Sequence, residues 1–227
     1  SNCIFAHGGH IFSFVHGTVV QIYSSSQFKE LASIKTQEMG KIKQLVFSRD
    51  DHYLMSCSMA GIIKIWNVKS LDTVTEIIVK GLSFIGIDLH PKQEWLFAVS
   101  TEKSIRQFQL QVSHDFKSII KSNENEETKL LKMIKLKEDE NLTCLKINNC
   151  GKILCVGTNK GNIRVFNIES GDYKEFKAHS SSINKLSITF NDDYLISCSD
   201  DGTIIYWQIN YIFRDFFYQL VQSNDEC

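Results

Sequence analysis

The stretch Ala178 to Gln208, A-H-S-S-S-I-N-K-L-S-I-T-F-N-D-D-Y-L-I-S-C-S-D-D-G-T-I-I-Y-W-Q, decides the fold. Ser182 to Thr189 sets apolar Ile183, Leu186 and Ile188 among polar residues, as a half-buried strand does. Asn191 to Asp193 supplies turn formers, Tyr194 to Ser199 runs back, Asp201-Gly202 turns the chain again, and Thr203 to Trp207 is a third strand. A sheet this small cannot bury its own two faces, so the pattern has to recur for the chain to be stable.

It recurs four more times. Aligned on the second turn and the aromatic that closes the third strand, the copies are His16 to Tyr23, Ala60 to Trp66, Glu102 to Phe108, Lys160 to Phe166 and Asp201 to Trp207. The closing aromatics Tyr23, Trp66, Phe108, Phe166 and Trp207 fall 43, 42, 58 and 41 residues apart, close to the period of about 40–45 residues of a four-stranded repeat. The long interval predicts an insertion, Gln111 to Thr128, polar and acidic, between the third and fourth strands of one unit, where it would form a solvated surface loop. The units are then 1–37, 38–80, 81–138, 139–178 and 179–210, followed by a tail, 211–227, whose aromatic residues need covering as a closing strand or against a partner. The opening Ser1-Asn2, in place of Met, reads as that of a fragment.

Composition narrows the function classes. With 25 basic against 26 acidic side chains there is no electrostatic footprint for nucleic acid. The longest apolar runs are strand-sized, so neither membrane insertion nor secretion is expected. Seven cysteines, an odd number without a C-x-x-C pair, predict reduced thiols in a cytosolic setting. Cys57 and Cys198 stand where another copy has Gly157, and read as small buried residues. His7, His10 and His16 crowd the first strands with Cys3, but a G-G turn would put His7 and His10 on opposite arms of a hairpin, and nothing completes a tetrahedron, so no metal is expected. The acidic pairs Asp50-Asp51 and Asp192-Asp193 recur at one turn of different copies and read as turn formers. No glycine-rich phosphate cradle is present, and neither a cofactor nor a small-molecule substrate is expected.

The succession of an Ala-His pair, a second strand S-x-S, a D-G turn and a third strand ending in an aromatic resembles the WD-repeat β-propeller family over nearly the whole chain. The last copy keeps the motif. Earlier ones are eroded, with Gly40-Lys41 for Gly-His, Trp66-Asn67 for Trp-Asp, and Phe for Trp twice. The resemblance implies an all-β propeller of four-stranded antiparallel blades, about five of the usual seven, with two sheet edges left open. It also implies a structural tetrad of His179, Ser197 or Ser199, Asp201 and Trp207. A buried Trp N–H needs an acceptor, and an Asp-His-Ser chain satisfies its members only together. The same residue types spell a hydrolase triad, yet no G-x-S-x-G elbow accompanies them, so an enzyme is not expected.

Within that family, F-A-H-G-G-H-I-F (Phe5 to Phe12), L-F-A-V-S (Leu96 to Ser100), V-G-T-N-K-G-N-I-R (Val156 to Arg164) and the run Lys177 to Leu195 resemble WD-repeat scaffolds of motile axonemes. The likeness implies protein partners, inner-dynein-arm components among them, and a place in the cytoskeleton of a cilium or flagellum. The alternative is a general cytosolic WD-repeat adaptor, serving a ubiquitin ligase or a trafficking assembly. Propellers bind through the loops of their ring faces. On the face of the second-to-third-strand turns the candidate residues are His16, Met59, Lys103, Lys160 and Asp200; the insertion is a further candidate.

Overall fold

The computed structural model describes residues 3–36, 40–93, 95–110, 128–133 and 139–209. The strands fall into five antiparallel sheets in chain order. Sheet I holds β1 (Cys3–Phe5), β2 (Ile11–His16), β3 (Val19–Ser24) and β4 (Glu30–Lys35). Sheet II holds β5 (Ile42–Phe47), β6 (Tyr53–Ser58), β7 (Ile62–Asn67) and β8 (Thr73–Ile78). Sheet III holds β9 (Phe84–Leu89), β10 (Trp95–Ser100), β11 (Ser104–Gln109) and β12 (Thr128–Met133). Sheet IV holds β13 (Leu142–Ile147), β14 (Ile153–Thr158), β15 (Asn162–Asn167) and β16 (Tyr173–Lys177). Sheet V has three strands among the described residues, β17 (Ile183–Ile188), β18 (Tyr194–Ser199) and β19 (Ile204–Gln208). Thr128, the last residue of the expected insertion, pairs with Phe108 and opens β12. The rest of the insertion and the tail 211–227 lie outside the described residues.

Period-two alternation gives each sheet two faces, and in sheets II, III and IV both are apolar because each sits between two neighbours. Phe47, Leu54 and Trp66 of sheet II pack on Val20, Ile22 and Ile34 of sheet I. From the other face of sheet II, Met55, Cys57, Ile63 and Ile65 pack on Phe84, Ile87, Leu96 and Phe108 of sheet III. The arrangement repeats with Val99 and Ile105 of sheet III on Leu145, Leu154 and Phe166 of sheet IV, and with Cys155, Ile163 and Val165 of sheet IV on Ile183, Leu186 and Leu195 of sheet V. In sheets II to V the closing aromatic therefore has one job: it stands opposite a second-strand leucine, as Trp66 opposite Leu54 and Trp207 opposite Leu195, and covers the preceding sheet, whereas Tyr23 of sheet I stands opposite Phe12.

The first strands β1, β5, β9, β13 and β17 line one central cavity. In four sheets the pairing of the inner strand slips by one residue, and the skipped residues are Lys43, Ile85, Thr143 and Asn184. All four residues skipped at these β-bulges line the cavity, and Ile85 also packs on the cluster between sheets III and IV.

No hydrophobic cluster joins sheet V to sheet I among the described residues. Ile63 and Ile65 are 0% and 5% exposed, but their counterparts on the last sheet, Ile204 and Tyr206, are 65% and 66% exposed. Phe5 is 61% exposed where its counterpart Phe47 is 1% exposed, and it heads an aromatic row with Phe12, Phe14 and Tyr23. Burying such a side chain stabilises by about 1.5–3 kcal/mol, so two faces of this kind favour association. The isolated chain is expected to self-associate at micromolar concentration, and Phe5→Glu combined with Tyr206→Glu to shift it toward monomer. Light scattering after gel filtration reads both; a parent chain that stays monodisperse across a tenfold concentration range would contradict the expectation.

Candidate functional site

The polar residues of sheet V form a closed chain of hydrogen bonds. His179 lies on the loop entering β17, Ser197 on β18, Asp201 in the turn after β18 and Trp207 on β19. The Nδ1 of His179 is 3.0 Å from Asp201 Oδ2, its Nε2 is 2.7 Å from Ser197 Oγ, and Trp207 Nε1 donates to the same Oγ at 2.8 Å. One proton assignment satisfies the set: Nδ1–H donates to Asp201, Nε2 accepts from the Ser197 hydroxyl, and Ser197 accepts from the indole. Ser199 is not in the chain; its Oγ accepts the Asp201 N–H at 3.2 Å. His179 and Ser197 are buried, and Ser197 Oγ is held between an imidazole and an indole. A nucleophile needs an open line of approach, so the triad spelling here serves fastening rather than acyl transfer. Asp201 is held well below the usual carboxylate range by the Thr203 hydroxyl, by the N–H groups of Ser180 and Thr203, and by His179.

Sheet IV fills the corresponding region differently. Buried Arg164 faces Glu140 at 3.4 Å, pairs through Nε with Glu175, and lies over the Tyr173 ring at 5.7 Å. Glu140 also accepts from Asn162 Nδ2 at 2.9 Å. Gly161, the counterpart of Gly202, has φ +79°, and a Cβ there would meet the His179 carbonyl oxygen at 2.1 Å. Glycine lets the turn close on the next entry loop, whose Ala178 and His179 N–H groups both donate to the Gly161 oxygen at 2.9 Å.

A second fastening lies at the opposite ends of the strands. Asp192, with φ +59°, aims its carboxylate at the turn of the preceding sheet, where it accepts from Asn149 N at 2.7 Å and Cys150 N at 2.8 Å. Asp51, with φ +58°, does the same to His7 N at 2.8 Å and Gly8 N at 2.7 Å. At this turn Gly151 replaces the acid, and the sheet III–IV bond is instead made by His90, whose Nε2 lies 2.9 Å from the Gly151 oxygen. Burial pushes the His90 pKa down, in keeping with its Nδ1 accepting from Lys92 and Gln93 N–H. The acidic pairs thus do more than form turns: one member of each ties two sheets together. The signal was an Asp in register with the glycines of other copies, which marks a left-handed turn position but not the direction of its carboxylate.

Comparison with known proteins follows this geometry. A family model described as WD domain, G-beta repeat matches residues 28–67, and one described as Vps42 beta-propeller matches 127–216. The solved β-propeller domain of Myceliophteria thermophila Cps50 (Swd1) superposes with a TM-score of 0.75 at 18% identity, covering 91% of this chain and 64% of that one. The chain folds as a WD-repeat β-propeller. The propeller is 26% identical over 210 residues to mouse "Cilia- and flagella-associated protein 57", and 26% identical over 226 residues to "Cilia- and flagella-associated protein 57 C" of Tetrahymena thermophila. These matches cover 91% and 90% of this chain but only 15% and 16% of the relatives, so the propeller is a small part of their length.

The blades place the remaining candidates as follows. Met59, Lys103, Lys160 and Asp200 stand in the second-to-third-strand turns of blades II to V, and His16 ends β2 beside the corresponding turn of blade I. Lys160 pairs with Asp139 at 2.5 Å, and Asp200 Oδ1 accepts from Asn184 at 2.6 Å. His7 and His10 sit within the β1–β2 turn itself, not on opposite arms, and His16 ends β2 at its far side. Cys57 is buried and its thiol is pushed up to about 12, whereas Cys198 is half-buried, contrary to expectation, because the outer face of blade V is uncovered.

Two measurements test the fastenings. Asp192→Ala strands partly buried N–H groups and is expected to lose about 1–3 kcal/mol in urea unfolding; Asp51→Ala should lose less, because its partners are exposed. For Asp201 the folded-state pKa lies below the usual aspartate value of about 3.9. Its stabilising contribution is therefore complete above about pH 4 and is lost as the pH falls further. The difference in urea midpoint between the parent chain and Asp201→Asn should be largest at pH 7 and shrink progressively as the pH falls below about 4; a constant difference would contradict this.

Proposed function

We propose that the chain is a non-enzymatic, protein-binding propeller of a cilium- or flagellum-associated scaffold, located on the axoneme with inner-dynein-arm components among its partners. The similarity to two cilia- and flagella-associated proteins over nine-tenths of the chain carries this reading. The internal chemistry supports it: the polar residues that spell a catalytic set face one another, which leaves the ring faces and the hub for recognition. On this reading the turns bearing His16, Met59, Lys103, Lys160 and Asp200 form one binding face. A trafficking adaptor is the second reading, favoured by the match of residues 127–216 to a Vps42 beta-propeller model.

Proximity labelling in ciliated cells separates the two. A ligase fused to the chain should label axonemal proteins, dynein-arm subunits among them, above a soluble control. A neighbour list confined to vesicle-coat and endosomal proteins would favour the second reading and overturn the first.

A further inference from the structure

The hub cavity has a volume of about 600 Å³, within the usual range for ligand sites. Four cationic side chains line it, Lys43, Arg49, Lys146 and Lys185, against one carboxylate, Asp88. Asp88 is buried and already engaged: it holds Lys146 Nζ at 2.9 Å and accepts the Ile147 N–H at 2.8 Å. Among the described residues Arg49 donates to an amide oxygen, that of Asn149, at 3.1 Å. Lys43, Arg49 and Lys185 therefore have no carboxylate partner among the described residues, whereas outside the cavity Lys64 pairs with Glu76, Lys160 with Asp139 and Arg164 with Glu140. The rim acids Asp51, Asp192 and Asp200 are turned to N–H donors of neighbouring turns and of Asn184. The hub thus carries excess positive charge in a chain whose net charge is -1, and low-dielectric walls focus such a field.

The placement of these charges says what they fit. Lys43 is a bulge residue at the start of β5 and Arg49 follows its end; at about 3.3 Å per residue they stand on the order of 15–20 Å apart along the hub. Apolar Ile4, Phe5, Ile85 and Leu89 lie on the wall with them. A compact polyanion needs its cations converging on one point, whereas cations strung along an axis among apolar residues suit an extended chain.

We propose that the hub binds an acidic peptide segment of a partner protein, with its carboxylates meeting Lys43, Lys185 and Arg49. The proposal rests on the protein-binding reading above, but its test is independent of where the protein resides. The test is fluorescence polarisation on the whole 227-residue chain with a labelled ten-residue Glu-rich peptide, its Gln counterpart, and inositol hexakisphosphate as competitor. The Glu peptide should bind, and bind more weakly as salt is raised, while the Gln peptide should not. Lys43→Glu with Lys185→Glu should weaken binding at least tenfold, and Lys69→Glu, on the exposed turn between β7 and β8, should leave it unchanged. Should the charge reversal disturb folding by circular dichroism, Lys43→Gln with Lys185→Gln should still weaken binding by at least about threefold. Equal binding of the two peptides, indifference to the hub substitutions, a loss confined to Lys69→Glu, or binding of inositol hexakisphosphate without the peptide would each overturn the proposal. A cytoplasmic proximity list with intact peptide binding would remove only the ciliary placement.

Discussion

A small antiparallel sheet with two apolar faces cannot exist alone in water, and that constraint organises this molecule. Blades II, III and IV are each made stable by being placed between two others, and among the described residues blades I and V each lean on one. The consequence is visible in the clusters, each of which takes one face from each of two consecutive blades and never both faces of one. Cooperativity follows from the same fact, since loosening one blade uncovers a face on each neighbour. The aromatic and leucine pair on one side and the β-branched row on the other give the stack a direction, so blades add in one order only.

Polar fastenings sit at the two ends of the strands, where hydrophobic stacking is weakest. On one side the His179–Asp201 chain ties an entry loop to an inner turn and to the indole beneath it. On the other, a carboxylate of one blade, Asp51 or Asp192, captures two backbone N–H groups of the blade before. Neither needs its counterpart in every blade. Arg164 with Glu140 and Glu175, and His90 with Gly151, show different chemistry meeting the same need. What is retained across the array is the requirement that buried donors and acceptors be satisfied, not the residues that satisfy them.

Much of the architecture was legible in the sequence because it is written five times. Alternation, turn residues and the closing aromatics are local signals, and Tyr23, Trp66, Phe108, Phe166 and Trp207 set the period without knowledge of any contact. The tetrad residues were legible as a resemblance, and the choice between Ser197 and Ser199 awaited the register that turns Ser197 toward His179. The inter-blade role of Asp51 and Asp192 was not legible, because a sequence marks the backbone conformation of a turn residue but not which neighbour its side chain reaches. The hub charges were equally hidden: Lys43 and Lys185 look like ordinary surface lysines until bulges and stacking bring five inner strands around one axis.

The bulges give the array two nearly separate alphabets. Framework positions must repeat, because each has to fit a neighbouring sheet, and they do so in Leu54, Leu96, Leu154 and Leu195. The skipped residues Lys43, Ile85, Thr143 and Asn184 all line the hub, only Ile85 among them also packs in an inter-sheet cluster, and no two of them are alike. Selection can therefore rewrite the inner wall one blade at a time without renegotiating the fold, and the hub is where repeats of one ancestry are freest to diverge in what they recognise.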